Sequence, residues 1–205
     1  MRIAWAVSGR GLIARSVMEA HSNDLLRSKL DLVLFDRADA TRPMIEWCER
    51  RKVSYAVVAP SNIESEFIRL RGAYEIDSMG LTFNRLIPPS VIDAFKGNIF
   101  NLHMSLLPAF PGFGATRRAL EAGETEAGVT VHFIDAGVDT GPIIAQQRVP
   151  IHSNDTEKTL GRRQFEAAVP LVLQTVRCLE MGTISRFSTI DDDLREFGVA
   201  YCAGL

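Results

Sequence analysis

Cysteine is scarce in this sequence, with three residues in a chain of 205. Cys48, Cys178 and Cys202 lie far apart and show no C-x-x-C spacing, so neither a disulfide framework nor a zinc site is predicted. Long apolar runs are missing as well, since no stretch of about 18 apolar residues occurs and the short run near the N-terminus ends at Ser8. We therefore expect a cytoplasmic protein with reduced thiols, without a signal peptide, a membrane span or a bound metal.

An excess of charge of either sign is also missing. Lys and Arg number 23 against 25 Asp and Glu, which gives a net charge of -2 and a pI near 6.1. Such a balance gives no electrostatic reason to expect a nucleic-acid partner, and it favours a small-molecule partner. No linker or repeat divides the chain, so we predict one domain over residues 1–205, with a weakly patterned tail at 183–205. Homo-oligomers are compatible with this pattern, but it predicts no particular oligomeric state.

Short apolar runs alternate with segments of helical spacing through the first half of the chain. The runs, typical of strands buried in a parallel sheet, are residues 3–7, 32–35, 53–58, 76–83 and 99–102. Helices are predicted from Leu12 to about Lys29, after Pro43, from a capping box at Ser61-x-x-Glu64, and from Pro88 to about Phe95. The alternation predicts an α/β fold with a Rossmann-like, mostly parallel sheet and helices on both faces.

The second half of the chain is less regular. A helix is predicted over residues 115–122, followed by two strands at 128–134 and 143–149 that flank a Gly-rich turn as a hairpin-like pair. Asp155 or Thr156 is expected to cap a long helix that reaches about Met181. Pro170 is expected to kink this helix or to mark a join between two helices.

Two segments carry polar side chains where ligands bind in open sheets, beyond the carboxyl ends of the strands. Asn101 and His103 are two residues apart in an extended segment, so their side chains point the same way. Asp135 and Asp139 lie in a turn whose glycines allow close approach of a ligand. Amide, imidazole and carboxylate together suit acyl transfer, because they can stabilise an oxyanion and move a proton.

Other candidate residues have weaker support. No Ser or Cys lies in a motif typical of a nucleophile, so direct attack by an amine substrate is the simpler hypothesis. His21, His132 and His152 are interpreted as satisfied or exposed imidazoles. The loop Gly9-Arg10-Gly11 follows a strand and could hold an anion, but it lacks the third glycine of a dinucleotide fingerprint, so NAD is not predicted.

The runs NLHMSLLPAFPG at 101–112 and GVTVHFIDAGVDTGPIIAQ at 128–146 resemble the formyltransferase domain of glycinamide ribonucleotide formyltransferases, a folate-dependent family. The resemblance extends to SGRG at 8–11, GLTFNRLIP at 80–88 and RRALEAGE at 117–124, and covers roughly residues 1–180. It implies 10-formyltetrahydrofolate as the formyl donor and Asn101, His103 and Asp139 as catalytic residues. It also implies that the pterin ring lies against two segments: Arg85, Leu86 and Ile87, and the loop of Ile134, Asp135, Ala136 and Gly137 up to Asp139. The loop of Gly9, Arg10 and Gly11 is then implied to lie at the acceptor.

The departures from that family fall on the acceptor side. Leu12 and Ile13 stand where the family usually has serine and asparagine, which cradle the substrate phosphate. The segment 113–116 lacks the usual histidines, and the Glu-His pair of the late helix is shifted or replaced around Phe165-Glu166. We therefore expect that formyl transfer is retained. Glycinamide ribonucleotide stays open as the acceptor, but the departures favour another amine, such as an amino sugar or an amino-acid-derived metabolite.

Three rival functions remain open at this stage. A formyltetrahydrofolate hydrolase would use water as acceptor, but such enzymes usually carry an additional N-terminal regulatory domain, for which this chain has no room. Methionyl-tRNA formyltransferase adds a C-terminal tRNA-binding domain, whereas this chain stops with an acidic run at Asp191-Asp192-Asp193. A degenerate, non-enzymatic folate-binding domain is the third, and the presence of Asn101, His103 and Asp139 argues against it.

Overall fold

The computed structural model describes residues 1–37 and 42–184. The strands are β1 Arg2–Val7, β2 Lys29–Phe35, β3 Ser54–Val57, β4 Ser78–Thr82, β5 Ile99–His103, β6 Glu126–Phe133 and β7 Ile143–Pro150. The α-helices are α1 Leu12–Ser22, α2 Arg42–Arg51, α3 Ile63–Ala73, α4 Pro89–Ala94, α5 Ala115–Glu121 and α6 Glu157–Met181. The predicted tail, with its acidic run and Cys202, lies outside the described residues apart from 183 and 184.

The strands form one sheet in the order β3-β2-β1-β4-β5-β6-β7. Strands β1 to β5 are parallel, while β6 is antiparallel to β5 and β7 is antiparallel to β6. The predicted mostly parallel sheet and hairpin-like pair are therefore confirmed. Because the chain builds outward from β1 in both directions, loops diverge between β1 and β4, and this switch point is where open sheets bind ligands.

Helices cover both faces of the sheet, as predicted. Helices α1, α2 and α6 bury their apolar sides in one cluster, which includes Trp5 and Phe100 from the strands. Helices α3 and α4 contribute to a second cluster with Phe67 and Leu81. Each cluster removes large side chains from water. Full burial of one such side chain stabilises the folded protein by about 1.5–3 kcal/mol, so both faces contribute to stability.

One predicted helix end and one predicted helix start were wrong. Helix α1 ends at Ser22 rather than near Lys29, because Asp24 adopts a left-handed conformation with φ 59° and the chain turns before β2. The capping box at Ser61 does not form: a 3₁₀ turn at Pro60–Asn62 precedes α3, and the Ser61 hydroxyl bonds to the Asn62 side chain instead. Proline at the start of that turn already supplies a helical φ, so Ser61 lies inside the turn and not before it.

The capping of α6 follows the prediction for Thr156. Its hydroxyl accepts the backbone N–H of Thr159 at 3.2 Å, and the Thr159 hydroxyl accepts the backbone N–H of Thr156 at 2.9 Å. The helix continues for 25 residues through Pro170, which therefore does not join two separate helices. Despite its length, neither α6 nor any other helix within 1–37 and 42–184 is apolar enough to cross a membrane.

Candidate active site

A cavity of about 1070 Å³ opens at the carboxyl ends of the central strands. It is lined by every residue that the sequence singled out for a site: Gly9–Gly11, Arg85–Ile87, Asn101, His103, Ile134–Gly137 and Asp139. Strand β5 and the loops after β1, β4 and β6 supply these residues, so segments more than 100 positions apart meet at one edge of the sheet. The structure thus brings the predicted catalytic, donor-side and acceptor-side residues into one cavity.

Strand β5 carries Asn101 and His103, and the turn after β6 carries Asp139. His103 Nδ1 lies 3.2 Å from Asp139 Oδ2, and Asn101 Nδ2 lies 3.4 Å from Asp139 Oδ1. The backbone N–H of Gly112 donates to Asp139 Oδ2 at 2.7 Å. The Asp139 carboxylate therefore holds the amide, the imidazole and the loop after β5 around one point.

The turn that presents Asp139 depends on close backbone approach. Asp139 has a left-handed φ of 54°, a conformation that Asp tolerates better than most residues. A Cβ on Gly141 would lie 1.9 Å from the Phe133 carbonyl oxygen, so only glycine fits where the turn passes close to the end of β6. The Asp135 carboxylate accepts hydrogen bonds from the Gly137 N–H at 3.0 Å and the Thr140 hydroxyl at 2.7 Å. That carboxylate is thus used to close the turn.

His132 belongs to this cluster, which the sequence interpretation missed. It is 1% exposed, and its Nε2 lies 3.3 Å from Asn101 Nδ2 and 3.4 Å from Asp139 Oδ1. Its Nδ1 lies 2.8 Å from the Phe133 carbonyl, which can only accept, so Nδ1 carries the proton. Antiparallel pairing places His132 directly opposite Asn101, and that register is the signal that could have identified it.

Asp139 is ionised over the ordinary pH range. Burial raises its pKa, but the adjacent His132 ring, the Gly112 amide and the His103 ring outweigh burial and lower the pKa from 3.8 to about 2. A carboxylate that stays charged next to two imidazoles stabilises positive charge on either ring. It therefore prepares the cavity for a proton transfer.

Two hydrogen-bond acceptors of neighbouring residues face the His103 ring, and the neutral ring carries only one N–H. Its Nε2 lies 2.9 Å from the Phe110 carbonyl, while its Nδ1 faces the Asp139 carboxylate. Burial lowers its pKa below 6.5, and the Phe110 carbonyl and Asp139 oppose this shift without cancelling it. The ring is therefore neutral near pH 7, and both acceptors are satisfied only when it takes up a second proton. This arrangement equips His103 to receive a proton.

Arg118 supports the loop after β5 from outside the cavity. Its Nη2 donates to the carbonyl of Phe110 at 3.0 Å and also to that of Pro111. Its guanidinium lies 5.9 Å from the centre of the Phe110 ring. Phe110 itself has a left-handed φ of 54°, so the Arg118 contacts help to hold a strained residue whose carbonyl orients His103.

The predicted donor-side residues differ in what their side chains do. Arg85 Nε donates to Asp36 Oδ2 at 3.0 Å, so its charge is paired with a buried carboxylate rather than simply solvated. Leu86 is 75% exposed at the mouth of the cavity. Ile87 and Ile134 pack against the cluster under α3 and α4. This side of the cavity is therefore an apolar surface with one tethered cation at its rim.

The predicted acceptor-side loop meets α1 at Gly11. Gly11 has φ 66°, and a Cβ there would lie 2.8 Å from Met44 Cγ, so the turn requires glycine. Arg10 is exposed, and Ile13 is 5% exposed within the cavity wall. Several lining residues on this side were not predicted as site residues, among them Phe113, Thr116, Glu157 and Phe165.

Metal ligands and covalent nucleophiles are not grouped at the cavity. In the described ranges 1–37 and 42–184, no cluster of three His, Cys, Asp or Glu side chains could hold a metal ion. Among the described residues that line the cavity, none is Ser, Cys or Lys. Cys48 lies in the apolar cluster, and burial raises its pKa to about 11, which keeps it as a thiol.

Comparison with known proteins identifies a family. The formyl transferase family profile matches residues 1–176. Phosphoribosylglycinamide formyltransferase of Bacillus subtilis is 32% identical over 169 residues, covering 79% of this chain and 86% of that protein. Glycinamide ribonucleotide transformylase 1 of Symbiobacterium toebii has a similar structure, with 34% identity, a TM-score of 0.84 and coverage of 89% and 88% of the two chains.

One relative is much longer than this chain, and only part of it is similar to this chain. The trifunctional purine biosynthetic protein adenosine-3 of Drosophila pseudoobscura pseudoobscura is 31% identical over 196 residues. The match covers 92% of this chain but 14% of that protein.

Proposed function

This chain belongs to the formyl transferase family, and on that premise we propose that it transfers a formyl group from 10-formyltetrahydrofolate to a primary amine of a small molecule. The observation that carries the proposal is the contact of Asn101, His103 and Asp139 around one point of the cavity. Residues 1–205 are taken as one formyltransferase domain. No nucleic acid, metal or nicotinamide cofactor enters the proposed reaction.

The proposed reaction is direct attack by the amine. Its nitrogen forms a bond to the formyl carbon, the carbonyl oxygen becomes an oxyanion, and the bond from that carbon to N10 breaks. The amine loses one proton and N10 gains one, so the products are a formamide and tetrahydrofolate. Direct attack is supported by the lack of Ser, Cys or Lys among the described lining residues. The two lining threonines are engaged within the protein, since Thr82 accepts from Trp5 Nε1 and Thr116 donates to Gln164 Oε1.

Each catalytic side chain has a role that its geometry supports. The Asn101 amide donates to the oxyanion, and its present contacts at 3.3 and 3.4 Å are longer than the usual N–H···O distance of about 2.9 Å, so it can turn toward a reacting oxygen. Neutral His103 takes up the proton that the amine loses. Ionised Asp139 stabilises the resulting imidazolium, and His132 supports Asn101 and Asp139 from the buried side.

Glycinamide ribonucleotide is the second candidate acceptor, because the B. subtilis and S. toebii relatives are named for that reaction. The loop after β1 argues against it. Phosphate at a helix N-terminus gains from hydroxyl or amide side chains nearby, whereas Leu12 and Ile13 offer none and repel water from the site. We therefore propose that another amine is preferred.

The test is a product assay with 10-formyltetrahydrofolate and a set of primary amines, including glycinamide ribonucleotide. Mass spectrometry distinguishes the formamide product from free formate. Formamide production by the native protein, reduced by about 10²-fold or more in Asp139→Asn, is the expected result. Formate as the sole product would instead indicate a hydrolase, and binding of the donor without turnover would indicate a degenerate domain.

A further inference from the structure

The cavity runs between the apolar clusters on the two faces of the sheet. On one side, Phe83, Ile87 and Ile134 line it and pack against the cluster under α3 and α4. On the other side, Ile13 belongs to the cluster under α1, α2 and α6, and Met104 and Phe165 pack against that cluster. Strand β5, with Asn101 and His103, lies between the two. Apolar side chains therefore line the cavity on both sides of the proposed catalytic residues, and these two apolar sides are here called its arms.

The second arm is here called the acceptor arm and is defined by Leu12, Ile13, Met104, Ala115 and Phe165. The family resemblance assigns the first arm, with Arg85–Ile87 and the loop after β6, to the donor. That assignment leaves the acceptor arm for the amine. An inference about this arm consequently rests on the proposed function.

Few polar groups are available in the acceptor arm. The Thr116 hydroxyl donates to Gln164 Oε1 at 2.8 Å. Gln164 is fully buried, and its amide nitrogen donates to the carbonyls of Met104 at 2.9 Å and Gly128 at 2.8 Å. These polar side chains are thus engaged within the protein.

Two exposed charged side chains of opposite sign, Arg10 and Glu157, line the cavity beside the acceptor arm. A phosphate in this arm would meet one arginine and would also lie in the field of the Glu157 carboxylate. Apart from the backbone N–H groups at the start of α1, its oxygens would face leucine, isoleucine and phenylalanine side chains, which cannot replace the hydrogen bonds lost from water. The chemistry of the arm therefore opposes a phosphorylated sugar and favours a group that gains by leaving water.

We propose that the acceptor is a primary amine whose remaining part is apolar and carries no phosphate. Its nitrogen lies at His103, and its apolar group occupies the acceptor arm between Ile13 and Phe165. Phe165 is then the side chain that selects acceptors by length. Burial of one methylene in such an arm raises kcat/KM by about fourfold, the equivalent of about 0.8 kcal/mol.

The test uses a series of straight-chain primary amines from propylamine to hexylamine, with glycinamide ribonucleotide in parallel and 10-formyltetrahydrofolate as donor. We expect kcat/KM to rise by about fourfold with each methylene until the arm is filled, and the best alkylamine to exceed glycinamide ribonucleotide. A flat series, or glycinamide ribonucleotide above every alkylamine, would overturn the inference and leave formyl transfer standing. If no amine is formylated, the proposed function fails, and the inference fails with it.

A variant locates the effect in the arm. Phe165→Ala is expected to lower kcat/KM for hexylamine more than 10-fold, to leave propylamine within about threefold, and to leave the KM for the donor unchanged. Leu179→Ala is the matched control, because Leu179 is a partly buried apolar residue of the same helix and does not line the cavity. An equal loss for both amines in Phe165→Ala would contradict a length-selecting role for this side chain.

Discussion

Replacement of Asp139 by asparagine tests whether this carboxylate is held ionised by its neighbours. Asparagine tolerates the left-handed φ of 54°, so the backbone of the turn is preserved. The folded pKa of about 2 lies below the ordinary 3.8. A depressed pKa contributes stability that is present above pH 3.8 and is lost as the pH falls through 2. The shift corresponds to about 2 kcal/mol at neutral pH, of which about 1 kcal/mol is lost by pH 3.

The assay is denaturant unfolding of the native protein and Asp139→Asn at pH 7, 5, 4 and 3. Other carboxylates titrate in both proteins and cancel in the difference between the two unfolding free energies. Asp139 also raises the pKa of His103, so between pH 7 and 5 this difference reports on that histidine as well. Through Asp139 itself, we expect the difference to move by about 1 kcal/mol in favour of the variant between pH 5 and 3. Parallel pH curves for the two proteins would refute the reasoning that the cluster stabilises an ionised Asp139.

Three further predictions concern the cavity. His103→Ala is expected to lower kcat for formyl transfer by about 10²-fold or more, whereas His152→Ala, outside the cavity, retains the native rate; near-normal turnover in His103→Ala contradicts the assignment. Tetrahydrofolate analogues are expected to bind in calorimetry, and folded protein without binding at high micromolar ligand would exclude the donor site. Burial is the main cause of the lowered pKa of His103 and the Arg118 charge adds to it, so Arg118→Met is expected to raise that pKa in an NMR titration; an unchanged or lower value argues against the contact.

Local patterns were sufficient to predict most of the fold. Continuous apolar runs such as 3–7 and 99–102 identify strands because both faces of a parallel sheet are buried. The spacing of Asn101 and His103 places both side chains at one edge, and the glycines around Asp139 indicate a tight turn. The contact among these three residues, with Gly112 as a fourth participant, agrees with the chemistry inferred from the residue types.

Features that depend on tertiary neighbours could not be predicted in this way. His132 enters the site only because antiparallel pairing sets it opposite Asn101, a register that the composition of either strand does not contain. The early end of α1 depends on the left-handed Asp24, while Leu25 and Leu26 continue an apolar pattern past it. In the sequence, Arg118 is indistinguishable from an ordinary charged helix residue, because its hydrogen bond to the Phe110 carbonyl depends on the tertiary structure.

The Asn101, His103 and Asp139 cluster is proposed to catalyse transfer of the formyl group directly to an amine. The most direct measurement mixes excess protein with 10-formyltetrahydrofolate carrying a ¹³C-labelled formyl carbon, in the presence of hexylamine and glycinamide ribonucleotide together. Mass spectrometry then locates the label. Label in a formamide, with tetrahydrofolate released in equal amount and the rate lost in His103→Ala, is the predicted result. Label that appears only in formate, or that remains on the donor, would contradict the account.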